Sequence, residues 1–174
     1  MYAAFSGDLD IVKMLISAGG DVNALIPPDR GGPAMSTLLM AAMSYQAAGQ
    51  NDPKNCDAVI ETLLRAGADA NPPEWRGTTV MEMAIRHGRR RIWPLLLRPG
   101  AILPTGDINQ ILGYHGTHSH LLYLQKIQTA GGFKAHEKAH LTQLLAIFAP
   151  KFTHLAPPEL VARIIEFSFH VGFY

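Results

Sequence analysis

The feature that most constrains this chain is a block that recurs in order and ends each time in glycine. The first copy runs from Ala3-Ala4-Phe5-Ser6-Gly7-Asp8 through Ile11-Val12-Lys13-Met14-Leu15-Ile16-Ser17-Ala18-Gly19 to Asn23. The second begins at Ser36-Thr37-Leu38-Leu39-Met40-Ala41-Ala42 and ends Val59-Ile60-Glu61-Thr62-Leu63-Leu64-Arg65-Ala66-Gly67 to Asn71. The third holds Thr79-Val80-Met81-Glu82-Met83-Ala84-Ile85-Arg86-His87-Gly88, then Ile92-Trp93-Pro94-Leu95-Leu96-Leu97-Arg98-Pro99-Gly100-Ala101. Ala3 and Ala84 each lie 16 residues before their glycine, and Gly67 to Gly100 is 33 residues. Each block reads as a short helix with small residues for close packing, a turn, and a second helix with apolar pairs at i and i+3/i+4. The glycine suits the left-handed position that ends a helix. No such unit covers its own apolar face, so the units must stack.

These blocks resemble the ankyrin repeat, whose pattern T-P-L-H-x-A-A, then Gly, then I-V-x-x-L-L-x-x-G-A-D-V-N is nearly complete from Gly7 to Asn23. The resemblance covers residues 1 to 103 and implies an all-α solenoid of antiparallel helix pairs with β-hairpin fingers. Departures from the pattern are informative. The T-P-L-H segment is absent from the first unit, which starts inside its first helix. This predicts a fragment or a longer parent. Gly19 to Ala41 is five residues longer than Gly67 to Ala84, an enlarged finger at 26–33. Ala41 to Gly67 is ten longer than Ala84 to Gly100, an insertion at 46–53 between helices. Pro94 falls near the first turn of its helix, where proline is tolerated.

The match fades at residue 104. Residues 104–133 read as a degenerate fourth repeat ending at Gly131, and 134–174 as a helical C-terminal cap. Within the cap, Lys134 to Phe148 reads as one helix stopped by Pro150, and Pro157-Pro158-Glu159 opens the last. Leu155 and Pro157-Pro158-Glu159-Leu160 also resemble, loosely, the opening of an F-box, which implies a ubiquitin-ligase substrate adaptor as an alternative role. An extra Ala156 and only 15 residues from Leu160 to the end weaken that resemblance.

His136-Glu137-Lys138-Ala139-His140 is literally H-E-x-x-H, the pattern that places two imidazoles on one helix face for zinc with the Glu as general base. Glu159 follows at a spacing that resembles zinc aminopeptidases, so His136, His140 and Glu159 are the candidate metal ligands of a hydrolase reading. Lys138 stands where those enzymes are uncharged, and a chain that commits its first hundred residues to a stack has no room for their catalytic domain. The expectation is therefore a solvated helix face, no metal, no cofactor and no enzyme. His115, His118 and His120 read as a polar turn.

Function in a repeat stack lives on its concave face. By resemblance the variable positions there are Phe5 and Ser6 in the first unit, Gly32, Pro33, Met35, Met43 and Ser44 in the second, and Trp75, Arg76, Thr78, Arg86 and His87 in the third. Trp75 with Arg76 has the makeup of an interface hot spot. The chain carries 15 Lys+Arg against 14 Asp+Glu, a net +1. Yet 76–98 holds six Arg and only Glu82, with Arg89, Arg90 and Arg91 together at a turn: a basic patch for an acidic protein segment. No aromatic interleaving argues for nucleic acid.

The longest uncharged run is too broken to span a bilayer, which needs ~20 apolar residues. One cysteine, Cys56, excludes an internal disulfide framework and fits a reducing compartment. The sequence thus predicts a monomeric, cytoplasmic or nuclear module that binds a protein partner without catalysis. By family analogy, Asn23 and Asn71 sit where ankyrin asparagines are hydroxylated; as residues, they read as turn braces.

Overall fold

The computed structural model describes residues 1–27, 34–44, 53–73, 77–113, 118–152 and 157–170. The chain divides into two compact units, Met1–Leu121 and Leu122–Tyr174. In the first, helices pair in sequence order: α1 (Tyr2–Ser6) with α2 (Leu9–Ser17), α3 (Thr37–Met43) with α4 (Pro53–Arg65), and α5 (Val80–Arg86) with α6 (Trp93–Leu97), the last entered by a 3-10 turn at Arg90–Ile92. α7 (Ile108–Leu112) follows, and α8 (His118–Thr129) carries the unit boundary. The inner row packs α1 on α3, α3 on α5 and α5 on α7, while the outer row packs α2 on α4 and α4 on α6.

Local chemistry explains these helices. Asp8 caps α2, its carboxylate accepting from Ile11 N at 3.0 Å. Ser36 and Thr79, which stand where the ankyrin pattern has its threonine, cap α3 and α5 by accepting from Leu39 N (3.0 Å) and Glu82 N (3.1 Å). Each outer helix ends alike. Gly19, Gly67 and Gly100 have φ of 82°, 91° and 106°, the left-handed region where a Cβ is strained. There the glycine N–H and the next one fold back onto the last turn's carbonyls, as in Gly67 N to Leu64 O (3.1 Å) and Ala68 N to Leu63 O (3.0 Å). The finger of the second unit pairs β1 (Leu25–Ile26) antiparallel with β2 (Met35–Ser36), Ile26 opposite Met35.

The core lies between the rows: Leu38, Ala41 and Ala42 of α3, Val59, Ile60 and Leu63 of α4, Met81 and Ile85 of α5, Ile92, Trp93 and Leu96 of the third pair, all buried. Trp93 occupies the position of Val12 and Ile60 and is completely buried. Its Nε1 donates to Ala84 O at 3.1 Å, so the one polar atom of the ring is satisfied inside the core.

Two asparagines clamp successive units. Asn23 Nδ2 donates to Gly67 O (3.1 Å) and its Oδ1 accepts from Asp69 N (2.7 Å). Asn71 repeats this one step on, to Gly100 O (2.9 Å) and from Ile102 N (2.9 Å). Asp21 and Asp69 hold each asparagine's own backbone, accepting from Asn23 N (2.8 Å) and Asn71 N (2.9 Å). Asn71→Ala removes two hydrogen bonds between units and is expected to cost about 1–2 kcal/mol in urea unfolding. A loss indistinguishable from zero would mean that water replaces the clamp without penalty.

In the second unit, α9 (Phe133–Phe152) packs on α10 (Pro158–His170). α9 does not stop at Pro150 as the sequence suggests; it runs two residues further, with the proline in its last turn. Proline's own φ is helical, and near a C-terminus it deletes only one ladder bond. Most of the inter-helix insertion at 46–53 and the finger turn at 28–33 lie outside the described residues. Among the described residues, no helix is long and apolar enough to cross a membrane.

Candidate partner-binding face

The structure sorts the sequence-predicted face residue by residue. Trp75, Arg76, Gly32 and Pro33 lie outside the described residues. Ser6 and Arg86 are exposed, and Phe5, Met35, Met43, Thr78 and His87 are half-buried. Ser44 does not belong with them. It is buried, and its hydroxyl donates to Ala41 O at 2.7 Å, closing the last turn of α3 instead of facing a partner. A short hydroxyl at a helix end finds its nearest unbonded carbonyl within its own turn.

The arginine cluster also divides. Arg90 and Arg91 are exposed, whereas Arg89 is buried. Its Nη2 and Nε donate to Asp57 Oδ1 of α4 at 2.5 and 3.1 Å, and Nη1 donates to the carbonyls of Ala42 (3.2 Å) and Ala41 (3.5 Å). One guanidinium thus joins the turn of the third unit to both helices of the second. A planar fork of donors suits this task, and a lysine's point charge does not. Of the three arginines expected to form a basic patch, two are therefore exposed.

A groove of about 690 Å³ opens on the inner side of the third pair. Thr79, Glu82 and Arg86 of the α5 region form one side; Ile102 to Asp107, Gln110 and Ile111 form the other. Arg86 Nη2 bonds Glu82 Oε1 at 2.7 Å, one helical turn apart. That pair holds the guanidinium over the groove while leaving about half of its side chain in solvent. The apolar side chains of Ile102, Leu103, Pro104 and Ile111 complete a surface that can take an extended segment with one apolar anchor and an adjacent acid. The far wall was missed in the sequence. The signal was there: the 33-residue step places the next finger immediately after Gly100, although its residues no longer match the pattern.

The histidines separate into two settings. His120 lies edge-on to Trp93, ring centroids 5.4 Å apart, and its pKa is lowered by burial and then by the Arg90 charge. In the second unit His136 and His140 stack nearly parallel at 6.4 Å, and Tyr123 meets His136 edge-on. Burial, then His140 and Lys126, lower the pKa of His136, against an opposing pull from Glu137. Glu159, on α10, does not join them. Among the described residues no three His, Cys, Asp or Glu side chains gather where they could hold a metal ion. His118 is exposed, and His115 lies outside the described residues.

Comparison with known proteins agrees with this architecture. A family model of ankyrin repeats, in three copies, matches residues 1–109. A relative from Caenorhabditis briggsae, an "Ankyrin repeat and KH domain-containing protein", is 33% identical over 114 residues, which is 64% of this chain and 4% of the relative. The chain thus spans a small part of that relative's length. Ankyrin repeats are generally protein-interaction modules, and the family is typically non-catalytic. The paired helices, the glycine-ended outer row, the asparagine clamps and the match over most of the chain make this polypeptide a member of the ankyrin-repeat family.

Proposed function

We propose that the chain binds a protein partner on its concave face and performs no chemistry of its own. The observation that carries this is the open groove beneath α5, where the Glu82–Arg86 pair faces the apolar wall at Ile102–Ile111. An anchor side chain settles on the apolar wall, and an acidic neighbour competes with Glu82 for Arg86. Phe5, Ser6, Met35, Met43, Thr78 and His87 extend the face along the stack, with Trp75 and Arg76 expected at the finger beside it. The exposed Arg90 and Arg91 supply positive potential on the rim, which favours an acidic segment and speeds its encounter. Nucleic acid and membrane are not the targets in this reading. The free buried Cys56 fits a reducing compartment, and we assign the chain to the cytoplasm or nucleus.

A second reading rests on α10, where Leu160 and Ile164, one turn apart, are both exposed. It is the adaptor role, with α10 as the ligase-docking helix.

Affinity purification of the full chain tests both. Arg86→Ala and Trp75→Ala are each expected to weaken capture of the principal partner about tenfold or more, as hot-spot truncations do. Unchanged capture by both variants overturns the concave-face assignment. Ligase components lost on Leu160→Asp, with Arg86→Ala silent, would select the adaptor instead.

A further inference from the structure

The groove beneath α5 carries a second charge that the concave-face reading does not use. Asp107 lines it from the far wall, at the entry to α7. Its Oδ1 accepts from Asn109 N at 2.9 Å, which caps that helix. A carboxylate has a second oxygen and spare lone pairs beyond that bond. Asp107 is exposed, and among the described residues no cation is paired with it. The α5 wall is arranged differently. Glu82 and Arg86 bond each other, but the Arg86 side chain is 53% exposed and that of Glu82 16%. The member of that pair that meets a ligand is therefore the guanidinium. The groove is thus cationic on the α5 wall and anionic on the far wall, where Asp107 shares the lining with the apolar Ile102, Leu103 and Ile111.

An extended chain reads two such walls by its own geometry. Successive side chains point to opposite sides, and residues two apart return to the same side about 6–7 Å further on. When an acid at one position reaches Arg86, its two neighbours both face the far wall. One of them rests on the apolar surface of Ile102 and Ile111. The other comes to Asp107, where a base completes the pair. An acid in that place would set two carboxylates against each other, and like-charge juxtaposition is how an interface rejects wrong partners.

We propose that the groove selects an extended protein segment in which one acid lies between an apolar residue and a base, the acid on Arg86 and the base on Asp107. This rests on the concave-face reading and narrows it. The rim arginines draw in an acidic segment, and the groove requires one positive charge within it.

Selection of random peptides displayed on phage, with the full chain as target, tests this order. The expected winners share an acid flanked by an apolar residue and a base, in either chain direction. Their affinities are then measured against two variants. Asp107→Asn removes the charge and keeps the helix cap, because asparagine caps as well as aspartate does. It is expected to weaken a winning peptide about 2–5-fold, the range of an exposed ion pair. That loss should vanish when the peptide's base is replaced by a neutral residue, since the two changes then break the same pair. Arg86→Ala is expected to weaken the peptide about tenfold. Winners that bind Arg86→Ala unchanged overturn the concave-face reading and this inference with it. Winners that need Arg86 but lack the base, or that bind Asp107→Asn as tightly as the original chain, overturn the charge order and leave that reading standing. A selection with no winner overturns the order as well.

Discussion

Asp57→Ala lowers the unfolding free energy by about 3–5 kcal/mol, the range for removing one partner of a buried ion pair. The Arg89 side chain is 4% exposed and the Asp57 side chain 24%. Without Asp57 the guanidinium loses its carboxylate while still donating to the carbonyls of Ala41 and Ala42, and its charge stays in a site that water hardly reaches. The penalty is therefore the desolvation of a cation, larger than the worth of the contact itself. Arg89→Ala is expected to cost less: Ala41 O keeps the Ser44 hydroxyl, and the carboxylate left behind is one-quarter exposed and can hydrate. Replacing both residues by apolar ones of similar length should recover much of the loss. Urea unfolding of the single and double variants gives the coupling directly. Additive effects would show that the two residues do not act as a pair.

The second large effect is expected at Trp93. Trp93→Ala should destabilise by about 3–5 kcal/mol, combining lost burial with the cavity left behind. Its indole is completely buried, fills the space between the rows, and carries the hydrogen bond to Ala84 O. Trp93→Phe separates the contributions. It keeps most of the ring and removes one hydrogen bond from the Ala84 carbonyl, which still accepts from Arg89 N at 2.9 Å, for an expected loss of about 1–2 kcal/mol. His120 serves as a local reporter, because its pKa is held down by the burial it shares with Trp93 and by Arg90. In Trp93→Ala the imidazole gains water, and NMR titration should show its pKa rising toward the ordinary value. A pKa that does not move would mean that the ring contact is not what shields it.

Much of this fold was legible because its causes are local and periodic. Glycine ends a helix by its own backbone freedom, an alanine pair permits close approach by its size, and apolar residues at i and i+3/i+4 define a face. The same logic placed Asn23 and Asn71 at turns, although not the partners they clamp. What stayed hidden depends on distance along the chain. Arg89 looks like the first of three exposed arginines until Asp57, 32 residues earlier, is brought beside it. Ser44 looked free because it follows the helix, and its hydroxyl instead closes that helix. The apolar wall of the groove escaped notice because the fourth unit has lost the repeat's letters while keeping its place. Trp75 and Arg76, the strongest hot-spot candidates in the sequence, lie outside the described residues, and the pull-down on Trp75→Ala tests the first directly.

The asparagine clamps have a consequence for how the stack comes apart. Each one joins a unit only to its successor, Asn23 to the turn at Gly67 and Asn71 to the turn at Gly100. Neither spans three units, and among the described residues the helices of the first pair pack chiefly on those of the second. Disorder in this ladder must therefore travel in single file, one rung at a time, from whichever end is least supported. Hydrogen exchange should then change unit by unit along the stack and be slowest near Trp93.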